Sequence, residues 1–444
     1  MTPGTEVASD LGASWPNAES SGSCFPKYKA PPNRAFADFW ARLGVSFVRL
    51  YATAFRERWP LHLLWPAPRL FGFRLLVRYD HVIEALTRAD VFKVPFGEEM
   101  ARLNDGAAPG HGTPFLLGID DPLEHDKRAR CLMARLGLDD IAAVEEMAFQ
   151  AAKSRLLLQA AKSFEAINGL VTAVPIDLCN RYFGLSITDG EARSFADASI
   201  ELSGHLFGAP PKSKDDPLKG IGPSKDGQEN EAGDYVRCFV NRAIKAAKAQ
   251  PPLAAGQAPE TLATKLRGLS DKEARAILMG MIVGFVPTNT LAGGYMLEVL
   301  LSKPDAMKAA VEAAQAGDDD RLCACLFEAL RLRPINLGPF RICKGGYQLD
   351  GSFIRHGERV WVMTGSAMWD SRKVLKASHF DPLRPASSYL HFGFGMHWCI
   401  GAMLARAQLT QTFKALLLHG APKPVSRLGY RGTFPAYLKI AIKR

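Results

Sequence analysis

A 22-residue stretch, Ala276–Leu297, contains no charged side chain and constrains the fold more than any other part of the chain. About 20 apolar residues suffice to span a bilayer. The stretch also holds four glycines, Pro287 and the polar run Thr288-Asn289-Thr290, a composition that weakens a helix in lipid. We therefore predict no membrane span, but a long helix buried through the centre of a large soluble protein.

The remaining pattern is mostly helical, with small sheets near both ends of the chain. We predict a single domain over residues 35–444 that follows an N-terminal tail, residues 1–34. Two Gly- and Pro-rich segments are expected to be loops: residues 94–118, which could cover a binding site, and residues 208–233, a mobile surface connection. Helices are predicted at about 80–88, intermittently over 124–207, and at 234–249, 271–301, 304–316, 319–333 and 400–418.

The composition, 47% hydrophobic and 23% charged, is that of a globular protein, with a net charge of +10. Such an excess suits nucleic acid, an anionic membrane or an acidic protein partner. No basic stripe interleaved with aromatic residues appears, which argues against nucleic acid. The start of the chain does not resemble a secretory signal, and the eight cysteines have no framework spacing. Both observations favour a reducing, cytoplasmic location with free thiols.

The most specific motif is the ten-residue segment from Phe392 to Gly401, F-G-F-G-M-H-W-C-I-G. Its glycines, Gly393 among them, let the main chain approach a flat cofactor closely. Cys399 lies at the start of the last predicted helix, where main-chain N–H groups favour a thiolate. Such a thiolate is a good axial ligand for iron. The alternative is a buried cysteine in a glycine-rich turn.

This segment resembles the haem-binding loop of the cytochrome P-450 family, F-G-x-G-x-H-x-C-x-G, and further matches follow in family order across residues 70–410. The resemblance implies a mainly α fold with small β-sheets, in which haem b lies between the long central helix and the cysteine loop. It implies Cys399 as the iron ligand, with Phe392, Gly393, His397 and Gly401 around the cofactor.

Glu328-Ala329-Leu330-Arg331 resembles the E-x-x-R helix of the family, and Arg384 the second arginine that joins that glutamate. By itself, an i,i+3 pair of this kind is worth a few tenths of a kcal/mol on a helix surface. The resemblance implies a buried structural network instead.

Haem carries two propionates, which need cationic partners when partly buried. By resemblance, His125, Arg341 and His397 are three such partners. The family usually has an arginine four residues after the first histidine, but Ala129 stands there. We transfer that role to Arg128, which lies on the same helix face.

The long helix departs from the A-G-x-[DE]-T pattern of oxygen-activating members. Aligned on Gly284, the acid position is Val286 and the alcohol position is Pro287, so neither can move a proton. Pro287 should kink the helix. If that kink rotates them inward, Thr288 or Asn289 takes over the relay.

Two functions therefore stay open. The first is monooxygenation of a small apolar organic or lipid substrate. The second is a peroxygenase, or an enzyme that rearranges fatty-acid hydroperoxides, which needs no acid–alcohol pair. A non-catalytic haem sensor is a remote third. The expected pocket includes Phe285, Val286, Pro287, Thr288, Leu337, Pro339 and Phe434.

The basic cluster around Lys127 and Arg130 is predicted to lie on the cysteine side of the haem. In the family, acidic ferredoxins dock there, so the resemblance implies a ferredoxin and its reductase as partners. Pairing with the propionates, together with ordinary solvated charge, explains the cluster equally well.

Overall fold

The computed structural model describes residues 35–57, 61, 64–70, 72–106, 112–158, 163–207, 228–250 and 260–442. The predicted tail, 1–34, lies outside these residues. The α-helices are α1 (Ala35–Glu57), α2 (Tyr79–Thr87), α3 (Gly97–Asp105), α4 (Pro122–Met133), α5 (Leu138–Leu157), α6 (Ala173–Arg181), α7 (Asp189–Phe207), α8 (Gln228–Ala249), α9 (Leu262–Lys265), α10 (Asp271–Ser302), α11 (Pro304–Gln315), α12 (Asp319–Leu332), α13 (Thr364–Ala367) and α14 (Ala402–His419).

The strands are short and lie mainly toward the two ends of the chain. They are β1 (Arg69–Leu70), β2 (Phe73–Leu76), β3 (Phe92–Lys93), β4 (Ser163–Glu165), β5 (Phe340–Cys343), β6 (Tyr347–Leu349), β7 (Ser352–Ile354), β8 (Arg359–Val362), β9 (Pro422–Pro424), β10 (Gly429–Arg431), β11 (Phe434–Tyr437) and β12 (Lys439–Ile442). The predicted fold class, mainly α with small sheets, is confirmed.

A mixed sheet of five strands, in the order β1-β2-β8-β5-β3, forms one side of the molecule. β2 and β8 are parallel, with Arg74 opposite Val360, and the other neighbours in the sheet are antiparallel. Smaller groups are β4-β12-β9, β10-β11 and β6-β7.

Helix α10 runs through the core and contacts α7, α8 and α12. Its first turn is closed by a capping box, in which Ser270 Oγ accepts from the Glu273 N–H and the Glu273 carboxylate accepts from the Ser270 N–H. The helix is long and apolar enough to cross a membrane, but most of its apolar window is buried inside the fold. It is therefore the predicted central helix, and it continues through Pro287 without interruption.

Three local expectations differ from the structure. The segment 94–118 contains a helix, α3, which buries Met100 and Leu103. The connection predicted over 208–233 is helical from Gln228 onward, and residues 208–227 lie outside the described part. Both segments are polar in sequence, and their helices are stabilised by packing rather than by propensity. Finally, Cys238 is disulfide-bonded, whereas the expectation was free thiols.

Candidate active site

Cys399 lies on the loop that precedes α14. Its N–H donates to the carbonyl oxygen of Phe392 at 2.8 Å, and its own carbonyl accepts from the Ala402 N–H at 3.1 Å. Burial raises the pKa of the Cys399 thiol, and a hydrogen bond from the Gly401 N–H acts in the opposite direction. The loop therefore closes on itself and aims one main-chain donor at the sulfur.

Glycine is required where this loop passes α2. Gly395 has φ +69°, and a Cβ added there would lie 2.5 Å from the carbonyl oxygen of Leu86. Both the left-handed conformation and the close approach exclude larger residues. This contact holds the cysteine loop against the end of α2.

The side chain of Cys399 presents accessible surface, yet its thiol is strongly desolvated. We interpret this combination as the position of a group that lines an enclosed space. A Cβ added to Gly401 would lie 4.0 Å from Cys399 Sγ and 3.8 Å from Met281 Cε. The loop and α10 therefore approach each other beside the sulfur.

One stripe of α10 remains accessible although its neighbours are buried. Gly280, Gly284 and Thr288 are only partly buried, and they follow one another at intervals of four residues. Residues four apart lie on one face of a helix. Phe115 packs over the first of them, since a Cβ on Gly280 would lie 3.2 Å from Phe115 Cβ. Space is open beside Gly284, where an added Cβ would meet no atom within 4 Å, so we interpret this stripe as the α10 side of the space beside Cys399.

The register of this stripe separates Val286 from Thr288. At 100° per residue, Val286 points about 160° away from Thr288, and it is fully buried. Val286, which the sequence alignment set at the acid position, therefore does not lie on the accessible stripe, whereas Thr288 does.

The Thr288 hydroxyl donates a hydrogen bond to the carbonyl oxygen of Gly284, one turn earlier. Asn289, the other suggested relay residue, is 2% exposed, and its Nδ2 has no hydrogen-bond partner among the described residues. Pro287 donates no main-chain hydrogen bond, which leaves the Val283 carbonyl without its helical donor. Of these residues, Thr288 is the one with a hydroxyl on the accessible stripe.

A second cluster brings together His125, Arg341 and His397 around Asp120. The two histidine rings meet edge to face at 5.2 Å. His397 Nε2 is 3.4 Å from Asp120 Oδ1, but neither ring nitrogen has a partner with hydrogen-bond geometry in the described part of the chain. Asp120 itself accepts from the Val94 N–H at 3.1 Å.

This cluster is short of negative charge. Arg341 is 4% exposed, donates to the Phe340 carbonyl at 2.8 Å, and has no carboxylate within 4.0 Å among the described residues. Burial lowers its pKa to about 10. Burial also lowers the pKa of both histidines. A buried guanidinium without a counter-charge is costly, so the cluster is suited to an anionic group.

Arg128 does not join this cluster, contrary to the sequence-based assignment. Its guanidinium donates to Glu124 Oε1 at 2.6 Å, and the pair lies one turn apart on α4, partly exposed. Glu124 captures it because i,i+4 neighbours on a helix face each other. Asp120 was not predicted to lie beside these histidines. Its position in the sequence, just before the residue that caps α4, gave no indication of that contact.

Behind the loop lies a fully buried ion-pair network. Glu328 and Arg331 have no exposed side-chain surface and form two hydrogen bonds of 2.8 Å. Arg384 Nε donates to the same carboxylate at 3.0 Å. The structure adds two donors that sequence did not indicate, the Tyr389 hydroxyl at 3.1 Å and the Asp381 N–H at 3.0 Å. Five donors therefore surround one carboxylate group.

The predicted pocket residues occupy different settings. Phe285 is buried against Phe183, with ring centroids 5.2 Å apart. Leu337 is nearly buried, and Pro339 accepts from the Val362 N–H at 3.0 Å. Phe434 is partly buried at the start of β11, the strand that packs on Gly294 of α10 through Pro435. Phe115 and Met281, which were not predicted, lie closer to the stripe and the cysteine loop.

Known proteins match much of this chain. The Cytochrome P450 family model matches residues 253–420, which include α10, the Glu328 network and the cysteine loop. That part of the chain is similar to the cytochrome P450 family. It is 25% identical to Cytochrome P450 107B1 of Saccharopolyspora erythraea over 56% of this chain and 61% of that protein. It is 32% identical to the Cytochrome P450 monooxygenase PikC of Streptomyces venezuelae over 36% of this chain and 40% of that protein. The matched regions thus span less than two thirds of either relative.

Solved P450 structures confirm the fold. A mutant of P450 EryK in complex with erythromycin B superposes with a TM-score of 0.69 at 22% identity, over 89% of this chain and 96% of that one. Ligand-free P450 TbtJ1 gives 0.69 at 20% identity, over 94% and 100%.

P450 proteins bind haem b through a cysteine thiolate, and the residues present fit that group. Among the described residues, Arg341 has no carboxylate within 4.0 Å and neither ring nitrogen of His397 has a hydrogen-bond partner, so both could bind propionates. Cys399 is the residue that would supply the thiolate ligand.

Proposed function

We propose that this protein is a haem-thiolate monooxygenase that inserts an oxygen atom from dioxygen into an apolar organic substrate. The observation that carries the proposal is the accessible thiol of Cys399 on a loop that approaches α10, the helix whose accessible stripe is formed by Gly280, Gly284 and Thr288. When bound, the haem supplies dioxygen activation at iron, and a thiolate ligand favours O–O cleavage.

The residues of this chain would perform three tasks. His125, Arg341 and His397 would bind the propionates by charge-assisted hydrogen bonds. The Gly401 N–H would stabilise the Cys399 thiolate. The Thr288 hydroxyl donates a hydrogen bond to the Gly284 carbonyl oxygen. Its lone pairs can still accept a hydrogen bond from a donor such as water.

Dioxygen is favoured over peroxide as the oxidant. The peroxide-using alternative rested on the absence of both the acid and the alcohol. We assign Thr288 to the alcohol position because its hydroxyl lies on the accessible stripe of α10, so that only the acid is replaced, by Pro287. Relatives also carry names of oxygen-inserting enzymes, such as Vitamin D(3) 25-hydroxylase of Pseudonocardia autotrophica, 26% identical over 54% of this chain.

The substrate is proposed to be a small apolar organic or lipid molecule. The partly exposed wall of the cavity offers two glycines and one hydroxyl, and Phe115 and Met281 add apolar surface beside it. A pocket of this kind selects by shape and offers few polar contacts.

A ferredoxin with its reductase is the proposed electron donor, in the cytoplasm. Lys127 and Arg130 on α4 are 79% and 81% exposed, although Glu124 and Asp126 offset part of their charge. Exposed charge of this kind steers an acidic partner at a rate that falls with salt.

Two measurements on the purified protein test the function. Carbon monoxide added to the reduced protein should give the red-shifted band specific to a thiolate ligand. Cys399→Ser should abolish that band, and Cys131→Ser, at a partly buried free cysteine elsewhere, should retain it. Turnover should then need dioxygen and a ferredoxin system. Turnover with hydrogen peroxide alone, and none with dioxygen and donor, would overturn the proposal.

A further inference from the structure

An open cleft of about 540 Å³ lies on the surface between α1, the β1–β2 hairpin and the loop after β7. Four aromatic side chains line it, together with three arginines and the short apolar segment Ala67-Pro68; the rings are Tyr51, Phe55, Trp65 and Phe353. A volume of 300–1,000 Å³ with apolar walls and a few charged groups is typical of a small-molecule site.

The aromatic side chains supply apolar surface to the cleft. Tyr51 and Phe55 lie one turn apart on α1, with ring centroids 4.6 Å apart. Trp65 and Phe353 also line the cleft and are 57% and 58% exposed. Large exposed side chains gathered in one cleft commonly mark a binding surface.

The three arginines differ in what they can still bind. Arg74 is fully engaged, since it donates to Glu358 at 2.8 Å and to the carbonyls of Ala67 and Phe353 at 2.7 and 3.1 Å. Arg69 donates hydrogen bonds from Nε and from one terminal nitrogen to the Glu358 carboxylate. Arg355 is exposed, and in the part of the chain that the structure describes nothing accepts from its guanidinium.

The charge balance sets the class of ligand. Among the described residues, three guanidinium groups against the carboxylate of Glu358 leave two positive charges in excess, and Arg355 and part of Arg69 remain free to donate. This donor set matches one singly charged carboxylate, which a guanidinium can bind through two parallel hydrogen bonds. A polyphosphate would need more free cations and would be repelled by Glu358.

We propose that this cleft binds an amphipathic carboxylate, a fatty acid or a related molecule with an apolar tail. Arg355, aided by Arg69, binds the carboxylate at the rim. Tyr51, Phe55, Trp65 and Phe353 cover the tail. The proposal does not depend on the monooxygenase activity, because none of these residues belongs to the site around Cys399.

A photoactivatable dodecanoate analogue with the reactive group in its tail would test this on the haem-loaded full chain. Peptide mapping should find label on the peptide that contains Trp65. Arg355→Glu should lower that labelling at least about tenfold, the loss expected when a charge-assisted hydrogen bond becomes a repulsion. Trp65→Ala should also weaken it. Arg321→Ala, an exposed arginine in a surface pair with Glu312, is the matched control and should have no effect.

Two further arms separate the alternatives. A photoactivatable dodecanol, with the same tail and no charge, should label the cleft at least about tenfold less. Vesicles of anionic phospholipid should not bind more tightly than free dodecanoate. The proposal would be overturned if Arg355→Glu left the labelling unchanged or if the alcohol labelled the cleft as strongly as the carboxylate. Binding to vesicles without binding to free dodecanoate would also overturn it. None of these outcomes changes the spectral and turnover tests of the proposed function.

Discussion

The Thr288 hydroxyl donates a hydrogen bond to the carbonyl oxygen of Gly284, and both residues lie on the stripe of α10 that remains accessible inside the protein. We assign this stripe to the same enclosed space as the accessible Cys399 thiol. The pair identifies Thr288 as the candidate for proton transfer in the charge-free stretch Ala276–Leu297 of this helix.

Thr288→Ala should therefore uncouple turnover. Removal of the hydroxyl should lower product formed per reducing equivalent at least about tenfold and divert dioxygen to peroxide, since a positioned proton-transfer group commonly contributes 10²–10⁴-fold. Thr288→Ser keeps the hydroxyl and should keep most of the coupling. Val286→Ala, on the opposite face, is the matched control. Equal coupling in Thr288→Ala and the wild type would contradict the assignment.

Pro287→Asp should raise the rate of the proton-dependent step, because it restores a carboxylate beside Thr288. The substitution also restores a main-chain N–H to α10, which by itself changes helix stability. Pro287→Ala restores that N–H without the acid and serves as the control. Single-turnover rates in normal and heavy water should separate the two variants. If both variants behave alike, the acid position is not at residue 287.

Glu328→Gln should destabilise the protein by about 3–5 kcal/mol, because it leaves Arg331 and Arg384 buried without their counter-charge. Haem content should fall with stability, since the network lies behind the cysteine loop. Urea unfolding followed by circular dichroism measures the first effect. Glu312→Gln, in the exposed pair with Arg321, should change stability by no more than about 0.5 kcal/mol. A Glu328→Gln protein as stable as this control would refute the structural role.

His391 should make the protein less stable in mild acid. Burial lowers the pKa of His391 to about 3, and its Nε2 lies 3.0 Å from the Phe327 carbonyl. The unfolded chain binds a proton near pH 6.5, so as pH falls from 6.5 toward 3 the unfolded state gains about 1.4 kcal/mol per unit. His391→Gln keeps an N–H donor and should flatten this slope between pH 6.5 and 5. His356→Gln, at an exposed histidine, is the control and should keep the wild-type slope. If His391→Gln also kept that slope, His391 would be protonated in the folded protein and the prediction would be wrong.

Charge reversal at Lys127 and Arg130 should slow reduction by an acidic ferredoxin. Both side chains are largely exposed on α4, so the double substitution to Glu should lower the association rate at low salt about tenfold or more, and the difference should shrink as salt rises. Stopped-flow reduction under carbon monoxide gives this rate. Arg193→Glu breaks a similar i,i+4 pair with Asp197 on α7 and should leave the association rate with the ferredoxin unchanged. An unaffected double variant would place the donor elsewhere.

Much of the site could be predicted because its signals are local. The spacing of glycines around Cys399 and the Glu328–Arg331 pair recur as short patterns, and the absence of charge over Ala276–Leu297 indicated a buried helix directly. Helix α3 and the start of α8 were missed because polar segments become helical only when tertiary contacts bury their apolar side chains.

The sequence by itself determined the fold class and the central helix, and it predicted the cysteine loop. Only the tertiary structure decided which face of that helix remains accessible, because a shift of one residue rotates a side chain by about 100° while the local pattern of apolar residues hardly changes. The structure likewise decided that Glu124 holds Arg128, and that Asp120 joins His397 instead. These choices depend on distances between segments that are remote in sequence, and a linear pattern does not carry those distances.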